Sequence, residues 1–314
     1  MIDEPVTTAA AASDLLSKLV AIPSVAPDVP GGTGESAMAE AVEAFARDVG
    51  ATVACCEALP GRSNVVATLP GAAARPALML EAHMDTVALG PMTNGHHPWV
   101  DALGRLHGRG ACDTKGALAA MLLALQWAAH QPQRPCTLVL AAAVDEETGG
   151  HGARALARSG PPADAAIVGE PTGLTIVRAH RGVVIWTLVT AGAAAHSSTP
   201  ERGHNAIYDM CEVVGILRAE YAGRLAGRSH PLTGPSTFSA GVIRAGTSFN
   251  IIPDRCELVI ERRNIPGESL SAVEAELEDV LEVVRTRLPH ARVALAASEV
   301  LAASLHTPPE APIV

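Results

Sequence analysis

Apolar positions recur along this chain at two different intervals, and the places where one interval gives way to the other mark out the elements. Leu15, Leu16, Leu19 and Val20 fall on one helical face and stop before Pro23, which predicts a helix over about residues 9–21. A second helix is predicted over about 35–49, with Phe45 inward and Gly50 as its stop signal. Three strand-like runs follow at about 52–56, 64–69 and 77–82, separated by Pro and Gly turns. Residues 115–130 read as an apolar helix ended by Pro132, and 136–144 as a strand apolar on both faces. A helix at about 150–159 and a strand at about 164–169 continue the alternation, which calls for an α/β sheet flanked by helices. From His180 the pattern changes: strands at about 182–190, 237–244, 255–262 and 292–297 surround amphipathic helices at about 205–225 and 269–288. That order, strand-helix-strand-strand-helix-strand, predicts an inserted α+β domain of the split βαβ, ferredoxin-like type. The expected division is a first domain of residues 1–179 and 299–314 and an inserted one of residues 180–298.

Composition narrows the partners. With 314 residues, 48% of them hydrophobic, the chain carries enough apolar material for two packed domains. A net charge of −10 and the lack of any basic run argue against nucleic acid or a membrane surface as partner. Lysine occurs only at positions 18 and 115, which draws attention to Lys115. Six cysteines, two of them the neighbours Cys55 and Cys56, make no disulfide framework and read as reduced thiols of a cytoplasmic protein. The start, Met1 to Pro5, lacks the basic and apolar regions of a signal peptide, and the Ala-rich 118–129 stretch is too short to span a bilayer.

The candidate chemistry lies where strands end. The run Leu78 to Ala82 delivers His83 and Asp85 two residues apart, hence to one face of an extended chain. Alone this is a weak signal, equally that of a core histidine and a turn aspartate. Asp113 follows a Gly- and His-rich loop (90–109) too long for a simple connection, Glu146 and Glu147 follow the 136–144 strand, and Glu170 follows the next. All could converge on the carboxyl edge of the sheet, where open α/β sheets gather ligands. One His with several carboxylates is a ligand set for Zn²⁺ or a related ion, and the Glu pair allows one carboxylate to bind metal while its neighbour moves a proton. Cys112 has no evident base partner and reads as packing, His96, His97 and His107 as solvent-facing, and His180 as a hinge residue.

Taken together, Ala82-His83-Met84-Asp85-Thr86-Val87, Gly108-Arg109-Gly110 through Asp113-Thr114-Lys115-Gly116, Asp145-Glu146-Glu147-Thr148-Gly149-Gly150 and Gly169-Glu170-Pro171-Thr172 resemble the M20 metallopeptidase family. The resemblance covers almost the whole chain from Leu19 and implies a zinc-exopeptidase-like catalytic domain with an inserted lid and dimerisation domain. It implies that His83 and Glu170 bind one zinc, that Asp113 bridges two, and that Glu147 binds the second. Glu146 would be the general base, Asp85 the acid that orients His83, and the Asp113–Thr114 peptide would be cis. In the inserted domain, His196 would donate to the oxyanion in a partner subunit's site, while Asn250 and Arg263 would hold the substrate carboxylate. The plainer alternatives are a surface-loop histidine for His196 and a surface ion pair for Arg263.

The implied activity is hydrolysis of the amide of a small N-acyl amino acid by metal-activated water, with one or two Zn²⁺ per chain and Co²⁺ as a substitute. The match is strongest to the acetylornithine deacetylase and succinyl-diaminopimelate desuccinylase branch. A dipeptidase or carboxypeptidase of the same family is the alternative, and a truncated, non-catalytic homologue that dimerises through the lid is the rival from another class. The family continues past Thr307 to Pro312 into a segment whose histidine completes the second metal position, and neither His306 nor His290 stands in its place. The expectation is therefore weak occupancy of that second position and an exposed apolar edge on the catalytic domain.

Overall fold

The computed structural model describes residues 8–314, and the signal-peptide reading of residues 1–5 lies outside them. The chain divides into two compact units, one running to Thr175 with Ile313 added, the other covering Ile176–Pro312 with Val314 added.

In the first unit a mixed sheet is built from β1 (Thr52–Leu59), β2 (Arg62–Leu69), β3 (Ala77–His83), β4 (Thr137–Ala143) and β5 (Ala165–Val168), in the order β1-β2-β4-β3-β5. β3 runs parallel to both neighbours, whereas β1, β2 and β4 form antiparallel pairs. Alternation along the central strands sends Val65, Ala67, Leu138, Leu140 and Ala142 into one core and Val66, Val139, Ala141 and Ala143 into another. Helices α1 (Ala9–Ala21), α2 (Ser36–Asp48) and α3 (Lys115–Ala129) close the larger core through Leu19, Met38, Val42, Leu118, Leu122 and Leu125. Helix α4 (His151–Ser159) adds Leu156 to the smaller one. A sheet covered on both faces explains why β4 reads as an unbroken apolar run. Each fully buried leucine of α3 contributes about 1.5–3 kcal/mol.

Helix α1 begins at Thr8, whose side chain accepts the Ala11 N–H. β1 outlasts its expected run because Gly61, at φ +72°, allows a tight return at Pro60-Gly61 straight into β2. The long 90–109 loop contains a small hairpin of Trp99–Val100 with Leu106–His107.

In the second unit, β6 (Gly182–Ala191), α5 (Ala206–Leu225), β7 (Thr237–Ala245), β8 (Arg255–Asn264), α6 (Leu270–Arg287) and β9 (Arg292–Ala302) form a βαββαβ array. The sheet order is β7-β8-β6-β9, antiparallel throughout. Trp186, Leu188, Leu258 and Ile260 face Met210, Val213, Leu217 and Tyr221 of α5 and Leu277, Val280, Leu281 and Val284 of α6. Asn205 and Ser269 cap the two helices with their side chains.

The expected return to the first domain at residue 299 differs from the observed contacts. β9 keeps pairing with β6 through Ala302, and Leu305–His306 then pairs with Ala179–His180, so residues 299–312 stay with the second unit. Among the described residues no helix is long and apolar enough to cross a membrane.

Candidate metal centre

Because β3, β4 and β5 are parallel, their carboxyl ends open on one edge, and the segments that follow them carry the acids to it. His83 ends β3, fully buried. Its Nδ1 lies 3.0 Å from the Asp85 carbonyl oxygen, which only accepts, so Nδ1 carries a hydrogen and Nε2 is the nitrogen left to meet a ligand. That Nε2 faces Asp113 Oδ1 at 3.0 Å, Glu146 Oε2 at 3.9 Å and Glu170 Oε1 at 3.9 Å. One ligand atom each from His83, Asp113 and Glu147 falls within 4.8 Å of the others. The structure thus brings together His83 and Asp85 from the end of β3, Asp113 from the turn before α3, Glu146 and Glu147 from beyond β4, and Glu170 from beyond β5.

The supports are as specific as the ligands. Asp85 is buried, 3.6 Å from His83 Nδ1 through its carboxylate, whose two oxygens accept the N–H groups of Glu146 (3.0 Å) and Glu147 (2.9 Å). One aspartate therefore anchors the Glu pair as well as facing the imidazole. The Asp113–Thr114 peptide is cis, and the Thr114 hydroxyl donates to the Gly169 carbonyl, which ties the Asp113 turn to the segment carrying Glu170. Lys115 is buried at the start of α3, its Nζ donating to the Ile22 carbonyl at 2.7 Å, with burial lowering its pKa to about 8.

Behind the Glu pair stands a group that the sequence reading missed. Asp145 adopts φ +66° and accepts from Thr148 Oγ1 (2.7 Å), His151 Nδ1 (2.6 Å) and Arg62 (2.9 Å), while its own N–H donates to Glu35 (3.2 Å). Arg62 also pairs with the buried Glu35, and Asp145 Oδ2 leaves no room for a Cβ on Gly149. No local pattern marks Glu35 or Arg62; they meet Asp145 only through the fold. Glu81 was also missed, although an acid in an apolar strand two residues before His83 is a readable signal.

The charge balance is lopsided. Burial pushes Glu81 and Glu170 up to about 7 and raises Glu146 and Glu147 as well, despite the opposing pull of His83. Burial alone would lower His83, but the Asp85 contact and the charges of Asp85, Glu146 and Glu170 raise it to about 10. Burial also works against an ionised Asp85, yet its contact with His83 and the two N–H groups hold its carboxyl below the usual range. An imidazole whose Nε2 can exchange its proton for a cation, set among carboxylates whose pKa values burial and mutual repulsion raise, suits a divalent ion.

Other expectations fare differently. Cys112 is exposed, not packed, and lines a hollow of about 200 Å³ with Val87, Arg109, Asp113 and Glu147. Of the loop histidines only His97 is exposed: His107 stacks on Trp99 (centroids 4.2 Å) and bonds Asp101, and His96 is half-buried. His180 lies a few residues past the division between units. His196, Asn250 and Arg263 all belong to the second unit. His196 is exposed, its Nδ1 accepts the Ser198 N–H, and its segment pairs with Ile251 beside Asn250. Arg263 is ion-paired with Glu261.

The profile of Peptidase family M20/M25/M40 matches residues 79–313. Acetylornithine deacetylase of Myxococcus xanthus is 37% identical over 239 residues, covering 71% of this chain and 59% of its own. The chain thus spans about three fifths of the length of that relative. Among solved structures, a tripeptidase from Staphylococcus aureus superposes with a TM-score of 0.74 at 21% identity, over 96% of this chain and 78% of the other. A dinuclear metal-binding peptidase of the M20 family from Bacillus subtilis gives 0.64 at 16% identity, over 95% and 75%.

Proposed function

This chain belongs to peptidase family M20/M25/M40, and on that premise we propose that it is a metal-dependent hydrolase cleaving the amide of a small N-acyl amino acid. The observation that carries the reading is the convergence of His83, Asp113 and Glu147 with Glu146 beside them, on a shared aspartate anchor. His83, Asp113, Glu147 and Glu170 would hold the metal, for which Zn²⁺ fits best and Co²⁺ is a substitute. Such an ion supplies Lewis acidity at the acyl carbonyl. Glu146 takes the proton of the attacking water and returns it to the leaving amine, a task that its raised pKa suits. Asp85 fixes the imidazole and the Glu pair without touching substrate.

The second unit is proposed as a lid through which two copies associate, with residues 180–298 as its body and the protein in the cytoplasm. In it, His196 bears its hydrogen on Nε2, since Nδ1 accepts from Ser198, and so is set to donate to a developing oxyanion. Asn250 and Arg263 would take the substrate carboxylate; Arg263 has to leave Glu261 to do so.

The deacetylase relative favours N-acyl amino acids and the tripeptidase neighbour keeps short peptides as the second reading. The test is a panel of N-acyl amino acids and short peptides offered to the chain loaded with Zn²⁺ or Co²⁺. Turnover of the first class, lost on chelation and restored by metal, is expected. Preference for peptides favours the second reading, and no turnover of either class overturns both.

A further inference from the structure

The first turn of α5 carries Asp209, 3% exposed, in a unit that pairs its other buried acid, Glu276, with arginine. Asp209 is met by histidine instead. His204 Nε2 lies 2.6 Å from Oδ2, and His290 Nε2 lies 4.0 Å from Oδ1. Glu212, at i+3 on the same face of α5, brings Oε2 to 3.9 Å from the same His290 nitrogen. The two rings stand edge to face with centroids 6.4 Å apart. His204 is held just before the helix by paired backbone hydrogen bonds with Ala193, of 2.8 and 2.9 Å, and His290 follows the end of α6.

We propose that His204, Asp209, His290 and Glu212 form a binding site for a divalent transition-metal ion of the Zn²⁺ type, separate from the centre around His83. Two imidazoles and two carboxylates are a complete tetrahedral donor set of nitrogen and oxygen. The buried carboxylate supplies the fixed corner. The other three side chains, 40%, 51% and 54% exposed for His204, His290 and Glu212, stand at the surface with room to turn. Ligand bonds of about 2.0–2.2 Å need His204 Nε2 and Asp209 Oδ2, now 2.6 Å apart, to open around the ion, and His290 and Glu212 to swing inward. A bound ion ties the start of α5 to the end of α6 and, through Ala193, to the segment that carries His196. The ion enters as a cation and displaces at most the protons of the imidazoles, so no co-reactant is required.

The test uses the full chain with His83→Ala and Asp113→Ala, which removes the first centre. Titration with Zn²⁺, and with Co²⁺ for its visible absorption, is expected to show one ion per chain bound at micromolar concentration and the intense band of a tetrahedral site. Adding His204→Gln and His290→Gln removes both signals while circular dichroism stays unchanged. In the otherwise native chain the same pair lowers zinc content by one ion and leaves that at His83 in place. Binding that survives the pair of glutamines, or no ion bound by the chain that keeps both histidines, overturns the proposal.

Discussion

Two clusters of charge, one in each unit and each built around a fully buried basic side chain, treat their acids in opposite ways. In the second unit Arg262 is fully buried at an apolar position of β8, where it pairs with Glu268 (3.0 Å) and Glu276 (3.4 Å), and Arg228 adds a second cation against the same two acids. Ser236 and the Ile265 N–H satisfy Glu268 further. Two cations face two anions, and the cluster is complete within the chain. In the first unit Asp113, Glu146 and Glu170 crowd on to the single imidazole of His83. A closed cluster only has to hold a fold together, whereas an open one stores electrostatic cost that a bound cation relieves; acids left unbalanced around a buried imidazole are therefore the better pointer to a site.

The comparison breaks most visibly at Glu146. If this residue moves a proton and does not help to hold the cation, Glu146→Gln lowers kcat by about 10²–10⁴-fold with metal content unchanged. Steady-state rates alongside metal analysis check both halves, and a loss of metal would return Glu146 to the ligand set. The closed cluster responds in stability instead. Arg262→Met leaves Glu268 and Glu276 sharing only the half-exposed Arg228 and costs about 3–5 kcal/mol in denaturant unfolding. Metal affinity at His83 should not move.

Asp85 joins ligand to base in the open cluster and has no counterpart in the closed one. Asp85→Ala keeps the carbonyl that accepts from His83 Nδ1 but removes the carboxylate beside the ring and the acceptor of both N–H groups of the Glu pair, so it weakens metal binding or turnover by about 10–100-fold. Calorimetric titration with Zn²⁺ checks the first, and an effect on turnover alone would mean that the Glu turn, and not His83, is what Asp85 holds.

How far the sequence showed all this depends on whether the cause was local. Helical spacing and caps are local, and α1 falls on its expected residues; so does the order of both sheets' elements, since apolar alternation is written into each strand. The strand-end acids were readable for the same reason, because parallel strands share an edge. Arg62, Glu35 and Asp145 were not, since residues from α2's start, β2 and the end of β4 meet only after folding. Nothing local sets Arg262 apart from Arg263 until the pleat of β8 turns one inward and the other out. The end of β9 was misjudged because nothing in residues 299–302 marks the point where pairing with β6 stops.

The smallest effect is also the one that separates the clusters by sign. In the metal-free protein Glu81 and Glu170 have folded values near 7, above the ordinary 4.5, so the folded state binds more protons between those values. His83, raised to about 10 from 6.5, extends the same trend upward. The first unit therefore loses stability as pH rises from about 4.5 to about 8, above which Lys115, lowered to about 8 by burial, opposes His83. Glu268 is displaced the other way: burial raises it, but Ser236, Ile265 and Arg262 outweigh that and hold it below 4.5. Its contribution is present above 4.5 and lost as pH falls through the lower folded value. Melting curves of the metal-free chain should move in opposite directions for the two units on going from pH 7 to pH 4, with Glu268→Gln flattening one trend and Glu170→Gln the other. Saturating Zn²⁺ should reverse the first unit's trend, because the ligands must then be deprotonated to bind, and leave Glu268's untouched. A common slope for both units would mean that the open cluster is balanced by the chain itself.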